Sequence, residues 1–375
     1  MQSFVVGLSL AVLASSCKKS SESNDKKPAE NTPNDCSTTK AGGHDSGDHS
    51  SMKGMTLAED CLVAINTSAF YVVNGGESSI SVIDPVEEDV IGTIPLTGVS
   101  FPHHISLDVP TDRLVVADPG MDLSGGHEHM MAGMKGSLVL LDAASGKVVK
   151  TKSLDAMNHN GAFSSDGNEI WTAAMASPGS LLVLDSDTLD TKNTVAVGNM
   201  PTEVTFSVDG KRAFVANGES GTVSVVDSTS KKIIKTVAVG KSPVGAWQGN
   251  DDLMYVDNEG AKSISAIDSD TLAVVRTYDL GFKPGMAATA PNGDLWVSDG
   301  DKGQIVYFMA GDTMKMGEIS TGAGAHAIAF STDGKFAAVT NQTAGTVTLI
   351  DVATHKELAN VSVGKKPNGL VFRKK

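Results

Sequence analysis

Helical periodicity is the first thing this 375-residue sequence lacks. Beyond its opening residues, no sustained apolar pattern recurs at three- and four-residue spacing, so no helical core is expected. Basic clusters are missing as well: net charge is −14, and lysines gather only in short pairs. Phosphate binding needs a concentrated positive face, so nucleic acid is excluded as the main partner. The acidity itself serves solubility. Aromatic residues make up only 5% of the chain. No Gly-x-Ser-x-Gly elbow, no Cys/His pair in register and no Walker-type loop occurs, which removes the common nucleophile and nucleotide-binding classes. The abundant serines fall in turns.

What is present is a repeat. An alternating apolar stretch that usually closes on aspartate occurs seven times: ISVID (80–84), LVLLD (138–142), LLVLD (181–185), VSVVD (223–227), ISAID (264–268), IVYFM (305–309) and VTLID (347–351). Their last residues are 58, 43, 42, 41, 41 and 42 positions apart. A period of about 40–45 residues with several short strands per unit is the signature of a β-propeller blade. The single long interval marks an insertion of about 16 residues, at 119–136.

Residues 201–240 serve as the template. Strands are expected at 202–207, 212–217, 222–227 and 233–239, with an Asp209-Gly210 turn between the first two. Asp and Gly accept the tight geometry of such turns. Second strands recur as FYVVN (70–74), LVVAD (114–118), MYVDN (254–258), LWVSD (295–299) and AAVTN (337–341). Short, β-branched, alternating segments suit a pleated surface buried on its faces. The expected fold is all-β: a seven-bladed propeller of four-stranded blades. Its first blade is completed by the C-terminal copy of the first strand, residues 368–372, so that radial closure hides the sheet edges.

These second strands and Asp-Gly turns resemble the YVTN-repeat family of bacterial β-propellers over residues 58–372. The resemblance implies the fold and leaves function open, because propellers host binding, scaffolding and catalysis alike.

Before the repeats, residues 4–13 form an apolar run too short to span a bilayer, followed by Ala-Ser-Ser-Cys17. This reads as a cleaved export signal (1–17) with Cys17 at the lipidated position of bacterial lipoproteins. The expected location is the cell envelope, periplasmic or on the outer-membrane surface, with the membrane reached through the lipid anchor. Residues 18–55 hold almost nothing apolar and read as a tether. The propeller occupies 56–375. Cys36 and Cys61 are candidates for a disulfide in an oxidising compartment.

Nine histidines are distributed unevenly. His103, His104, His159 and His326 fall in connections into the first strands of blades two, three and seven, where a propeller's channel opens. The matching positions elsewhere are Thr202, Val244, Gly285 and Asn368, and Glu203 is the one carboxylate among these connections. The insertion adds His127, His129, Met130, Met131 and Met134, and the tether adds His44, His49, Met52 and Met55. Met157, Met175, Met200 and Met286 are expected on the same face, and His355 in a solvated turn. Imidazole and thioether together suit copper in both oxidation states. Zinc is the second candidate, satisfied by histidine alone. The channel-mouth histidines also resemble those of the nitrous oxide reductase propeller, including its His-His pair. Four blades here lack the histidine and no cupredoxin domain follows, so no multinuclear cluster is expected and one mononuclear site remains open. The expectation is a monomeric, non-enzymatic envelope lipoprotein that binds copper and serves an unknown protein partner. The alternatives are a metal-free interaction scaffold and a metal-dependent oxidoreductase or lactonase-like enzyme.

Overall fold

The computed structural model describes residues 64–125 and 133–375. Lipidation at Cys17, the Cys36–Cys61 pair and the tether residues His44, His49, Met52 and Met55 lie outside the described residues. So do the loop residues His127, His129, Met130 and Met131.

Twenty-eight strands assemble into seven four-stranded antiparallel sheets. Six blades use four consecutive strands each. In the template blade these are Pro201–Phe206, Arg212–Asn217, Thr222–Asp227 and Ile233–Ala238, running from the channel outward. Blade one is assembled from both ends of the described chain. Its innermost strand is Pro367–Arg373, paired antiparallel to Ala69–Asn74 with Tyr71 opposite Val371 and Val72 opposite Leu370. Successive innermost strands neighbour one another all the way round.

The aspartate that ends six of the seven third strands has a local task. Its carboxylate accepts backbone N–H groups of the turn that follows: Val86 on Asp84 at 2.8 Å, Ser230 on Asp227 at 2.7 Å, Thr271 on Asp268 at 2.7 Å and Thr354 on Asp351 at 2.7 Å. These bonds hold the Asp227, Asp268 and Asp351 carboxyls below the ordinary carboxylate range. The asparagine that ends most second strands works across the sheet. Asn217 donates to Ser224 Oγ at 3.0 Å and Asn341 to Thr348 Oγ1 at 2.9 Å, tying the second strand to the third.

Alternation within each second strand decides which neighbour a side chain meets. Tyr71 and Val73 pack towards blade two, while Phe70 and Val72 pack towards blade seven. Seven apolar clusters result, one at each seam between blades. Both faces of a blade are therefore core.

At the end of the closing strand, Arg373 forks onto Asp112 of blade two, at 2.6 Å from Nε and 2.5 Å from Nη2, and donates to the Ile65 carbonyl at 3.0 Å. The same guanidinium holds the Asp112 carboxyl below its ordinary value. A depressed carboxylate contributes stability above its unfolded pKa and loses it as pH falls through the folded one. Arg373→Ala is expected to cost about 1–3 kcal/mol at neutral pH. The gap from the parent should narrow below about pH 4. Urea denaturation checks this, and an unchanged midpoint would mean that the fork holds nothing.

Candidate metal centre at the channel mouth

Asp118 stands where most repeats carry asparagine. Its carboxylate collects the backbone N–H groups of Ser100 at 3.1 Å, Phe101 at 3.2 Å and Gly120 at 2.9 Å. One side chain thus fixes both the approach to His103-His104 and the start of the insertion. The histidine pair is clamped from the other side by the closing strand, where Gly369 N–H donates to the His103 carbonyl at 2.8 Å. A Cβ on Gly369 would lie 2.7 Å from the His104 Cα, so that position has room only for glycine.

His103, His104 and His159 come together in the channel, buried, with one ligand atom from each inside a 4.8 Å circle. The Nε2 atoms of His103 and His159 are 3.0 Å apart. Nδ1 of His159 meets the Glu203 carboxylate at 2.6 Å, with both side chains almost fully buried. Nδ1 of His103 lies 2.5 Å from the Asn368 amide nitrogen. Assigned from this network, the Asn368 amide donates to His103, His103 Nε2–H donates to His159 Nε2, and His159 Nδ1–H donates to Glu203.

The Asn368 Oδ1 atom is buried and finds no hydrogen-bond partner among the described residues. Turning the amide over would present that oxygen to His103 Nδ1–H. Both facing Nε2 atoms would then hold lone pairs, which is the protonation a cation requires. A tetrahedral ion bound at about 2.0–2.1 Å needs its nitrogens roughly 3.3 Å apart, a widening of only a few tenths of an ångström. His103 and His159 thus fit a metal ion as a pair, and His104 offers a third donor within 4.8 Å of theirs.

His326 stands further off, with its ring 6.2 Å from His103 and 6.0 Å from His104. Gly285, at the corresponding place in blade six, leaves room for it, since a Cβ there would approach His326 Nδ1 to 3.2 Å. The imidazoles separate two cavities. One, of about 260 Å³, opens towards the insertion and is lined by His103, His326, Leu123, Glu259 and Lys283. The other, of about 320 Å³, lies deeper in the channel, against His104, Glu203, Trp247 and Met286.

The methionines divide. Met134, Met157, Met175 and Met200 gather with Met121 and Leu123 in one cluster. Met286 does not join them: it sits within the innermost strand Pro284–Thr289, and its sulphur accepts the Ile328 N–H at 3.2 Å. His355 keeps its expected turn, where it is half-buried. Its backbone is left-handed, with φ 55°, and its ring packs 4.4 Å from Tyr307 and 5.5 Å from Trp296.

Sequence reading missed Asp257. Where other second strands carry Val73, Ala117, Ala173 or Ala216, blade five carries a fully buried carboxyl. It accepts Trp247 Nε1–H at 2.6 Å over Gly245, where a Cβ would lie 2.2 Å from Asp257 Oδ1. Loss of hydration, and then the nearby Glu259 carboxylate, push Asp257 well above the ordinary carboxylate range. The folded protein therefore holds a proton there that the unfolded chain releases, and stability falls as pH rises from about 4 towards the folded pKa. Asp257→Asn keeps the indole bond and removes that penalty. Its melting temperature should exceed the parent's at pH 8, by about 2–4 °C for each kcal/mol recovered, and the gain should shrink at pH 4. An equal gain at both pH values would show that Asp257 is ionised in the fold.

No family model matches the chain. An uncharacterized protein, YncE, of Salmonella typhi is 24% identical over 242 residues, which cover 62% of this chain and 66% of that protein, just under two thirds of its length. Among solved structures, the periplasmic gluconolactonase PpgL of Pseudomonas aeruginosa superposes with a TM-score of 0.67 at 20% identity, covering 81% of this chain and 98% of that one. The dihydro-heme d1 dehydrogenase NirN, solved in complex with DHE, gives a TM-score of 0.59 at 15% identity, covering 83% and 76%. At these identities the likeness is one of fold, and the chain is a seven-bladed β-propeller.

Proposed function

We propose that this propeller is a non-enzymatic binding protein of the cell envelope that holds a single transition-metal ion, copper first and zinc second. The ligands are His103, His104 and His159. The observation that carries the reading is the meeting of three buried imidazoles within 4.8 Å. Glu203 on His159 and Asn368 on His103 supply the outer partners that orient metal-bound imidazoles. His326 stands by as a further ligand or as a wall. The lipid anchor at Cys17 and the envelope location belong to the same proposal, supported by the leader sequence and by YVTN-like second strands.

A second reading has its own observation. Glu203, which holds His159 Nδ1 at 2.6 Å, lines the 320 Å³ cavity, and a buried carboxylate on a cavity wall is a candidate general base. A lactonase-like hydrolysis would use it, in keeping with the fold likeness to a gluconolactonase.

Equilibrium titration of the purified chain with copper(II) and zinc(II), competed against a chelator of known affinity, separates the readings. His103→Ala with His159→Ala should abolish the tight equivalent. Glu203→Gln should weaken it about 10–100-fold. Unchanged affinity in the double variant would sink the metal reading. Lactone hydrolysis that persists after chelation and fails in Glu203→Gln would favour the enzyme.

A further inference from the structure

We propose that Met121, Met134, Met157, Met175 and Met200 form a second site, for a monovalent soft cation: copper(I), or silver(I) as its redox-inert analogue. The site stands independently of the imidazole centre.

Five of the six apolar side chains in this cluster are methionine, the sixth being Leu123. The seven seams between blades are filled with valine, leucine, isoleucine, alanine and aromatic residues, and only Met254 and Met286 appear among them. A lid that merely needed to exclude water has leucine available and would pack as well with it. Methionine differs from leucine chiefly in a polarizable sulphur and greater flexibility.

The donors arrive from separate parts of the fold. Met121 and Met134 flank the tip of the insertion. Met157 lies in the connection into blade three, and Met200 in the connection into blade four. Met175 directly follows the strand Glu169–Ala174. Backbone bonds hold these segments together: Met175 N–H donates to the Met157 carbonyl at 2.9 Å, Met200 N–H to Ala176 at 2.9 Å and Gly136 N–H to Ala156 at 2.9 Å. Lys366 pairs with Asp122, one residue after Met121, and ties the insertion to the connection before the closing strand. Met157 and Met175 are 3% and 6% exposed, while Met121, Met134 and Met200 reach the surface in part. An ion could therefore enter from one side and be covered on the other.

The chemistry selects the charge. Thioethers are neutral and soft, so they suit a d¹⁰ monovalent ion and compete poorly for copper(II) or zinc(II), which prefer imidazole and oxygen. A buried set of neutral donors also adds only one charge to a low-dielectric region. Leu123 belongs to the thioether cluster and also lines the mouth cavity beside His103 and His326. The two donor sets are thus neighbours, one for each oxidation state of the same element.

The test is silver(I) titration of the full chain against a competing chelator. Parent protein is compared with Met134→Leu/Met157→Leu/Met175→Leu and with His103→Ala/His159→Ala. The methionine triple should lose one silver equivalent, or bind it at least 100-fold more weakly, and keep its zinc binding. The histidine double should keep the silver equivalent. An unchanged silver isotherm in the methionine triple would overturn the proposal and leave the cluster as apolar packing. Loss of the equivalent in the histidine double instead would put the ion on the imidazoles and overturn it equally. In parallel, ¹³C-methyl spectra of the unsubstituted chain should show these methionine signals shifting together up to one equivalent of silver. Signals that stay still would overturn the proposal without any substitution.

Discussion

A sheet that is apolar on both faces has no surface it can leave to water, so every blade here must be covered from two sides. Six seams form between blades that follow one another in the chain. The seventh forms only if blade one meets blade seven, and that requires Pro367–Arg373 to add itself to Ala69–Asn74. Pairing between these distant segments therefore fixes the circumference, and the circumference fixes the channel. Phe70 and Val72 at this seam are fully buried, and Leu370 is nearly so. The Arg373–Asp112 fork and the Lys366–Asp122 pair then tie the closing strand and the connection before it to blade two.

The imidazole centre depends on that closure directly. Asn368 and Gly369 belong to the closing strand, and they contact the side chain of His103 and the backbone of the His103-His104 pair. Around the channel the chemistry is lopsided. Imidazoles come from blades seven, two and three, while Glu203 and Asp257 stand on blades four and five. A cation bound among the histidines would sit beside one carboxylate that is already engaged by His159. Asp257, on blade five, is buried against Trp247 with its carboxyl raised above the ordinary range, so it offers less negative charge to the channel than an exposed carboxylate would.

Most of the architecture was legible in the sequence because the signals were local. Asp227 and its counterparts announce turns through bonds to residues two or three positions on, and Asn217 announces a cross-strand bond within seven positions. Period-2 alternation then gave strand faces, and the count of copies gave the blades. The convergence of His103, His104 and His159 followed from their shared place before innermost strands. What stayed hidden depended on contacts across the ring. Asp257 differs from Ala216 by one substitution in a strand that otherwise looks the same, and its burial against Trp247 depends on Gly245 opposite. Asn368 read as a strand residue, since its meeting with His103 bridges 265 positions. Met286 was misjudged because it falls inside the innermost strand Pro284–Thr289, where its sulphur meets the Ile328 N–H of the next blade.

Asn368 also sets a schedule. A chain is made from its first residue onward, so His103, His104 and His159 emerge long before the residue that holds His103 in place. Until the closing strand arrives, the imidazoles belong to blades without a ring, and no enclosed pocket surrounds them. Only a ring that has shut encloses the three imidazoles, so the pocket itself is the mark of a finished fold.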